Sequence, residues 1–359
     1  LGATFGNRFR LTIFGESHGE AIGGVIDGLI PGHEIDFEDI AFQMKRRAPG
    51  MTSLSTPRKE KDEVKILSGA LDGKTTGSPL AFMILNEDKK SKDYESIRFT
   101  PRPGHADYSA WVKYKGFNDY RGGGHFSGRI TAPIVFAGTI AQQILKKSEI
   151  EVFTSITKIG NVESQKFKGS IKEIEKLKEI KASRLPSLEE GKSHLMEEEI
   201  KGARAAGDSV GGIVECIIYG IEAGIGEPFF DSLESHISRI MFSIPAVKGI
   251  EFGEGFNLAG MRGHDSNDEL IVTSQKISHS TNNNGGILGG ITNGMPIIFR
   301  VAIKPTPSIS KTQSTVDLKK MKEVSINIEG RHDPCIVPRV LPVIESAAAI
   351  AILDMMMLK

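Results

Sequence analysis

Apolar positions along this chain follow two rhythms, short unbroken runs and helical spacing. The runs at 23–28, 64–67 and 80–85 are bounded by Gly, Pro or Asn, which is the pattern of strands. After a capping residue at Asp36, Phe37, Ile40, Ala41 and Met44 fall at helical spacing over 37–47. That helix ends before Ala48-Pro49-Gly50, because proline drives the residue ahead of it out of the helical region. A loop then runs to about Lys61. Val135, Ile140, Ile144 and Leu145 recur on the faces of a buried helix over 131–147. The Lys- and Glu-rich stretch 171–206 predicts exposed helices flanking a turn near Pro186, and 211–220 returns to strand. The alternation continues with a helix over 233–244, a strand and turn over 249–256, a strand over 297–303 and an Ala- and Met-rich helix over 342–358. Strands and helices interleave with no shift in composition and no clean repeat, so the pattern predicts one α+β domain over residues 1–359.

Composition narrows the classes of function. With 359 residues, 39% of them hydrophobic, the chain can bury a substantial core. Its 45 basic and 45 acidic residues cancel, so overall charge points to neither nucleic acid nor an anionic membrane as partner. No run approaches the roughly 18 to 20 apolar residues of a spanning helix, and 1–12 reads as neither signal peptide nor membrane anchor. Cys216 and Cys335 lie far apart with no paired ligand spacing, which argues against a zinc site and a disulfide scaffold and for a reducing, cytoplasmic compartment. The successive methionines Met355, Met356 and Met357 read as adaptable packing, not as metal ligands. Glycine changes the picture: the 40 glycines are clustered, and clusters between apolar runs mark tight turns or places where a ligand lies against main chain.

Five segments could carry chemistry. Phe14-Gly15-Glu16-Ser17-His18-Gly19 is a strand end running into a glycine-bounded histidine, whose ordinary pKa near ~6.5 suits acid or base work as well as an idle turn. Gly15 and Gly19 flank Ser17 at the spacing of a nucleophile elbow, but no oxyanion motif accompanies them. Pro101-Arg102-Pro103-Gly104-His105-Ala106-Asp107 places a second histidine by a Pro-Gly turn. Arg121-Gly122-Gly123-Gly124-His125-Phe126-Ser127-Gly128-Arg129 leads into a helix start, where backbone N–H groups and the dipole seat an anion and Arg129 adds a planar fork. The paired glycines of 282–294, followed by Lys304-Pro305-Thr306-Pro307-Ser308, let main chain pack closely on a flat ligand, or simply form two turns. Gly330-Arg331-His332-Asp333-Pro334 gathers a cation, an imidazole and a carboxylate at one turn, a site or a surface ion pair.

Taken in order, these segments, with Arg46-Arg47-Ala48-Pro49-Gly50 and Ser243-Ile244-Pro245-Ala246-Val247-Lys248-Gly249, resemble the chorismate synthase family across nearly the full chain. The resemblance implies a β-α-β sandwich of antiparallel sheets around central helices, a homotetramer, and 1,4-anti elimination of phosphate from 5-enolpyruvylshikimate-3-phosphate with reduced FMN. Electrons would come from NAD(P)H used by the chain itself or from a separate flavin reductase. By motif, the resemblance makes His18 the proton source for the leaving phosphate, His105 the group that protonates reduced flavin near N1, and Asp333 the aid to hydrogen transfer at N5. Arg47, Arg129 and Arg331 fall where the family holds the anionic substrate. FMN contacts map to His125, Phe126, Ser127, Pro245, Ala246, Gly289, Lys304, Pro305, Thr306, Pro307, Ser308 and Arg331. Where the family commonly has Arg-Ser-Ser-Ala-Arg-Glu-Thr, this chain has His125-Phe126-Ser127-Gly128-Arg129-Ile130-Thr131, and Ser53 replaces another arginine. The competing readings are a flavin or nucleotide oxidoreductase, for which no Gly-x-Gly-x-x-Gly follows an early strand, and a non-catalytic phosphometabolite-binding protein.

Overall fold

Two five-stranded antiparallel sheets carry the architecture of the computed structural model, which describes residues 2–49, 62–87, 98–273, 275–328 and 333–359. The first sheet comes from the amino-terminal part of the chain: β1 (Thr4–Phe5), β2 (Arg10–Gly15), β3 (Ala21–Asp27) and β4 (Val64–Ile66). After the small β5 (Ala70–Leu71) and β6 (Lys74–Thr75) hairpin, β7 (Leu80–Leu85) completes it in the order β1-β2-β3-β7-β4. β8 (Glu151–Ile159), β9 (Val162–Glu163), β10 (Gly212–Tyr219) and β11 (Val247–Phe252) belong to the second sheet. Two hairpins follow, β12 (Leu270–Thr273) with β13 (Lys276–His279) and β14 (Ile287–Leu288) with β15 (Ile291–Thr292). β16 (Ile297–Ile303) then enters the second sheet, ordered β11-β16-β10-β8-β9, and β17 (Gln313–Asp317) pairs with β18 (Lys322–Ile326).

Helices α1 (Phe37–Arg47), α2 (Asp107–Lys113), α3 (Ala132–Lys146), α4 (Ile171–Ile180), α5 (Lys192–Ala205), α6 (Leu233–Met241), α7 (Gly263–Ser266) and α8 (Val337–Met356) complete the described elements. α3 packs on β2 and β3 of the first sheet, α8 packs on β8 and β10 of the second, and the two helices pack on each other. The result is the expected sandwich of sheets around central helices. Most of α8 is apolar or small, as suits a helix enclosed by sheet and helices, and its charged residues Arg339, Glu345 and Asp354 each have a partner. Where α3 crosses α8, a methyl group on Gly138 would stand 2.2 Å from Ser346 Cβ, so only glycine allows the approach. The main core runs from Phe82 and Phe136, whose ring centroids lie 4.2 Å apart, through Ile350 to Val214, and a smaller one gathers Phe153, Phe167, Leu177 and Ile217 on the outer side of the second sheet.

Several elements differ from the sequence expectation. α8 begins at Val337 instead of 342, because Pro338 occupies the first turn, where a missing N–H costs nothing, and Pro342 is carried inside the helix. A turn of 3-10 helix over Gly128–Thr131 precedes α3, and α6 stops at Met241, short of 244. β2 was anticipated only at its end, Phe14-Gly15, and β8 and the β17–β18 hairpin were not anticipated; in β8 the buried Thr154, Ser155 and Thr157 interrupt the apolar run that marks a strand. The adjacent arginines at the end of α1 part company: Arg46 donates to Glu345 of α8 at 2.6 and 2.9 Å, while Arg47 turns the other way. Thr154 also donates to Glu345 at 2.5 Å, so this fully buried carboxylate ties α1, α8 and β8 together. Cys216 and Cys335 are free and buried, and burial pushes the Cys335 thiol up to about 12. No helix among the described residues is long and apolar enough to cross a membrane.

Candidate functional site

The site begins where β2 runs out at Gly15 and the chain turns back into β3. Ser17 N donates to the Gly124 carbonyl at 3.1 Å and Gly19 N to the Glu16 carbonyl at 3.0 Å, which sets His18 beneath the triple-glycine turn, 4% exposed. Gly122, Gly123 and Gly124 all have positive φ, at 61°, 85° and 53°. A methyl group on Gly122 would stand 2.2 Å from His18 Nδ1, and one on Gly123 would stand 3.1 Å from His105 Nε2. Consecutive residues of one turn therefore touch both histidines, and side chains are excluded from it on conformational and steric grounds alike.

His105 is held from its other side. Its Nδ1 lies 2.5 Å from Asp107 Oδ1, and the same carboxylate accepts from Arg102 N, Nε and Nη2 at 3.0, 2.7 and 2.9 Å. Burial pushes Asp107 up, yet the bonds from Arg102 and His105 outweigh it and hold the carboxyl well below the usual range. An ionised carboxylate can only accept, so Nδ1 keeps its proton and Nε2 is the nitrogen presented at the glycine turn. Arg102 Nη1 reaches Ser308 Oγ at 3.4 Å, and Lys304 Nζ donates to the Gly104 carbonyl, which brings the Lys304–Ser308 segment against the His105 turn. Lys304 N donates to the Ala246 carbonyl at 3.0 Å, and Ala246 itself sits at φ +73°. Left-handed backbone at a non-glycine residue costs roughly 1–2 kcal/mol, a strain that collects at functional sites.

A line of buried charge extends from the His18 turn. Asp62 accepts from both Arg47 and Arg129, and all three are buried. Burial works against the Asp62 charge, but the two guanidiniums prevail and lower its pKa. Arg339 donates from Nε to the Arg47 carbonyl at 3.1 Å and pairs with Asp333, so Asp333 joins the line through it. Beside His18, burial likewise opposes the charge on Asp119, and the Arg121 fork, bonding at 2.8 Å from both Nε and Nη2, outweighs it.

The structure thus brings His18, His105, Arg47, Arg129, Lys304, Ser308 and Ala246 into one network, with Asp333 at its edge. Gly289 is different: it ends the β14 turn, and the neighbouring Gly290 carbonyl accepts from Leu233 N at 3.0 Å, which ties that turn to the start of α6 and not to the histidines. Arg331 lies outside the described residues, as does Ser53. His125 Nδ1 stands 2.8 Å from the Gly15 carbonyl, which can only accept, so the ring donates and pins the glycine turn to β2. The Phe126 ring stands 6.3 Å from that of Tyr114, Ser127 Oγ accepts from Arg129 N at 3.3 Å, and Ile130 is buried in the core. Asn86, Asp62, Arg102, Asp107 and Arg339 were missed by the sequence reading, although Arg102 and Asp107 stood inside a motif it singled out.

A family model described as chorismate synthase matches residues 9–357. A chorismate synthase of Thermococcus kodakarensis is 47% identical over 350 residues, covering 97% of this chain and 96% of the relative. One of Pyrococcus abyssi is 48% identical over 350 residues with the same coverage, and one of Methanocaldococcus jannaschii is 46% identical over 366 residues, covering 98% and 96%. A solved structure described as a chorismate synthase crystal structure superposes with a TM-score of 0.78 at 27% identity, covering 98% of this chain and 92% of the other. Agreement in sequence and fold along almost the whole length means that the chain belongs to the chorismate synthase family.

Proposed function

We propose that the chain is a carbon–oxygen lyase that converts 5-enolpyruvylshikimate-3-phosphate into chorismate by 1,4-anti elimination of phosphate, the last common step of the shikimate route to aromatic amino acids. The observation that carries this reading is the pair of histidines under one glycine turn, next to two buried arginines that share a single carboxylate. A substrate with a phosphate and two carboxylates needs fixed cations out of water, and guanidiniums supply them in a planar, multidentate form. Arg47 and Arg129 hold the anionic groups, with Arg331 assigned to them by motif. His18 delivers a proton to the departing phosphate, which leaves more readily as it is neutralised.

The residues present fit FMN. A glycine turn that any Cβ would fill, the left-handed Ala246 and the buried Ser308 beside Lys304 offer main chain and a few polar groups to a flat anionic cofactor. When bound, reduced FMN supplies reversible electron donation, so a poorly acidic hydrogen is removed with no net oxidation. His105, its Nδ1–H held by Asp107, works through Nε2 at the N1 side and passes on a proton from the imidazolium form, and Asp333 manages the hydrogen at the N5 side. His125, Phe126, Ser127, Pro245, Gly289 and the rest of 304–308 complete the assigned cofactor contacts. The oxidoreductase and binding-protein readings have no observation in their favour.

We also take the chain as a single domain, supported by a main core that draws on both sheets and the central helices, in a cytoplasmic homotetramer. Phe229, Phe230, Phe256, Leu270, Val272 and Ile277 are exposed apolar side chains of the kind that subunit contacts cover. The test is anaerobic chorismate formation with chemically reduced FMN, run beside oxidised FMN with NADPH. Product only with prereduced flavin establishes the lyase and assigns reduction to a separate reductase; product in both assigns reduction to this chain. No product in either, from folded protein with bound flavin, overturns the reading.

A further inference from the structure

We propose that Asn86 is a positioning residue that locks the His18 turn to Arg129, so that proton source and anion-holding cation are set as one unit; the inference rests on the functional reading above. Asn86 directly follows β7 and is 7% exposed. Its backbone N donates to the Glu20 carbonyl at 3.1 Å. Its side-chain Nδ2 donates to the carbonyls of Glu16 and Gly19, both at 3.0 Å, which are the residues on either side of Ser17-His18. Its Oδ1 accepts from Arg129 Nε at 3.0 Å, and the next carbonyl back, that of Leu85, accepts from Arg129 Nη2 at 3.2 Å.

The orientation of the amide is forced. A guanidinium offers only donors and two carbonyls offer only acceptors, so the side chain between them must present two N–H groups on one atom and a lone pair on its neighbour. A primary amide at this reach is the only side chain that does so. Aspartate would satisfy Arg129 and turn an acceptor toward two acceptors, while leucine would satisfy neither. None of these bonds is to the reacting atoms, so Asn86 acts through the groups it holds.

Steady-state kinetics with reduced FMN under anaerobic conditions separate the two halves of the lock. Asn86→Asp, which keeps the acceptor for Arg129 and loses the donors to the turn, is expected to lower kcat about tenfold or more with KM within about threefold. Asn86→Ala loses both and is expected to lower kcat similarly and to raise KM about tenfold. In a His18→Ala background, either substitution is expected to cost less than about twofold in kcat, because the group being positioned is gone. Should thermal unfolding show that the Asp variant does not fold, the Ala variant, which adds no charge, decides on the same two criteria. A folded Asn86 variant with wild-type kcat, or one whose kcat loss multiplies in full with that of His18→Ala, overturns the inference. A wild-type enzyme that makes no chorismate is a separate outcome and sinks the functional reading itself.

Discussion

Gly122 and His18 cannot both keep their places if either changes shape. A methyl group at Gly122 would enter the imidazole at 2.2 Å and sits on a backbone at φ +61°, so Gly122→Ala is expected to cost more in turnover than in stability, with kcat down about 10²-fold. Gly128→Ala is the control, since nothing lies within 4 Å of its added methyl group and its φ is ordinary; it is expected to be silent in both rate and melting temperature. Equal losses in the two variants would show that the glycine turn is not shaped around His18. His18→Ala and Asp333→Ala are expected to keep substantial FMN binding, followed by flavin fluorescence, and to lose turnover by about 10²-fold or more, the range for a removed proton-transfer group. Near-normal rates in both would mean that proton management lies with other residues. Much of this was legible in the sequence, because glycine clusters around His18, His105 and Gly122–Gly124 are local signals. Asn86, Asp62 and Arg339 were not: each has a bond to a partner distant in sequence, Arg129 for the first two and the Arg47 carbonyl for the third, and nothing in the residues beside them marks such a bond.

At the scale of elements, caps and crossings decide what the sequence discloses. Asp36 was readable as the cap of α1, and its Oδ1 accepts from Glu38 N and Asp39 N, both at 3.0 Å. Asp36→Ala is expected to destabilise by about 1 kcal/mol, measured by chemical denaturation. The α3–α8 crossing was not readable, because Gly138 and Ser346 declare their closeness only once the two helices meet. Gly138→Val forces them apart and is expected to cost about 1–3 kcal/mol or more, the range for overpacking a filled core. A Gly138→Val protein as stable as the wild type would mean that the central layer slides without penalty. The same logic explains the misplaced start of α8: proline reads as a helix boundary, yet Pro338 and Pro342 belong to one continuous helix held by the sheet and helix around it.

Over the whole molecule, the chain carries no net charge, but it buries ionised carboxylates at its joints. Asp62 joins two arginines, Asp354 accepts from the backbone N–H groups of Asn7, Arg8 and Phe9 at 2.6–2.9 Å, and Glu345 ties three elements of the sandwich. Burial opposes charge on each, and in each case cationic or hydrogen-bonding partners prevail and lower the pKa. A carboxylate depressed in the folded state binds fewer protons there than in the unfolded chain. Its stabilisation is therefore complete above the unfolded value, near ~4, and is lost as pH falls through the depressed native value. Thermal unfolding is expected to be level on this account at neutral pH and to fall steeply below about pH 4. Asp62→Asn should lower stability at pH 7 by about 3–5 kcal/mol, because it removes the buried charge that Arg47 and Arg129 share. The same variant has one fewer proton to take up on unfolding, so its curve must be shallower in acid and approach the wild-type curve as Asp62 of the native protein becomes protonated. Parallel curves down to pH 3 would mean that Asp62 contributes through packing and not through its charge.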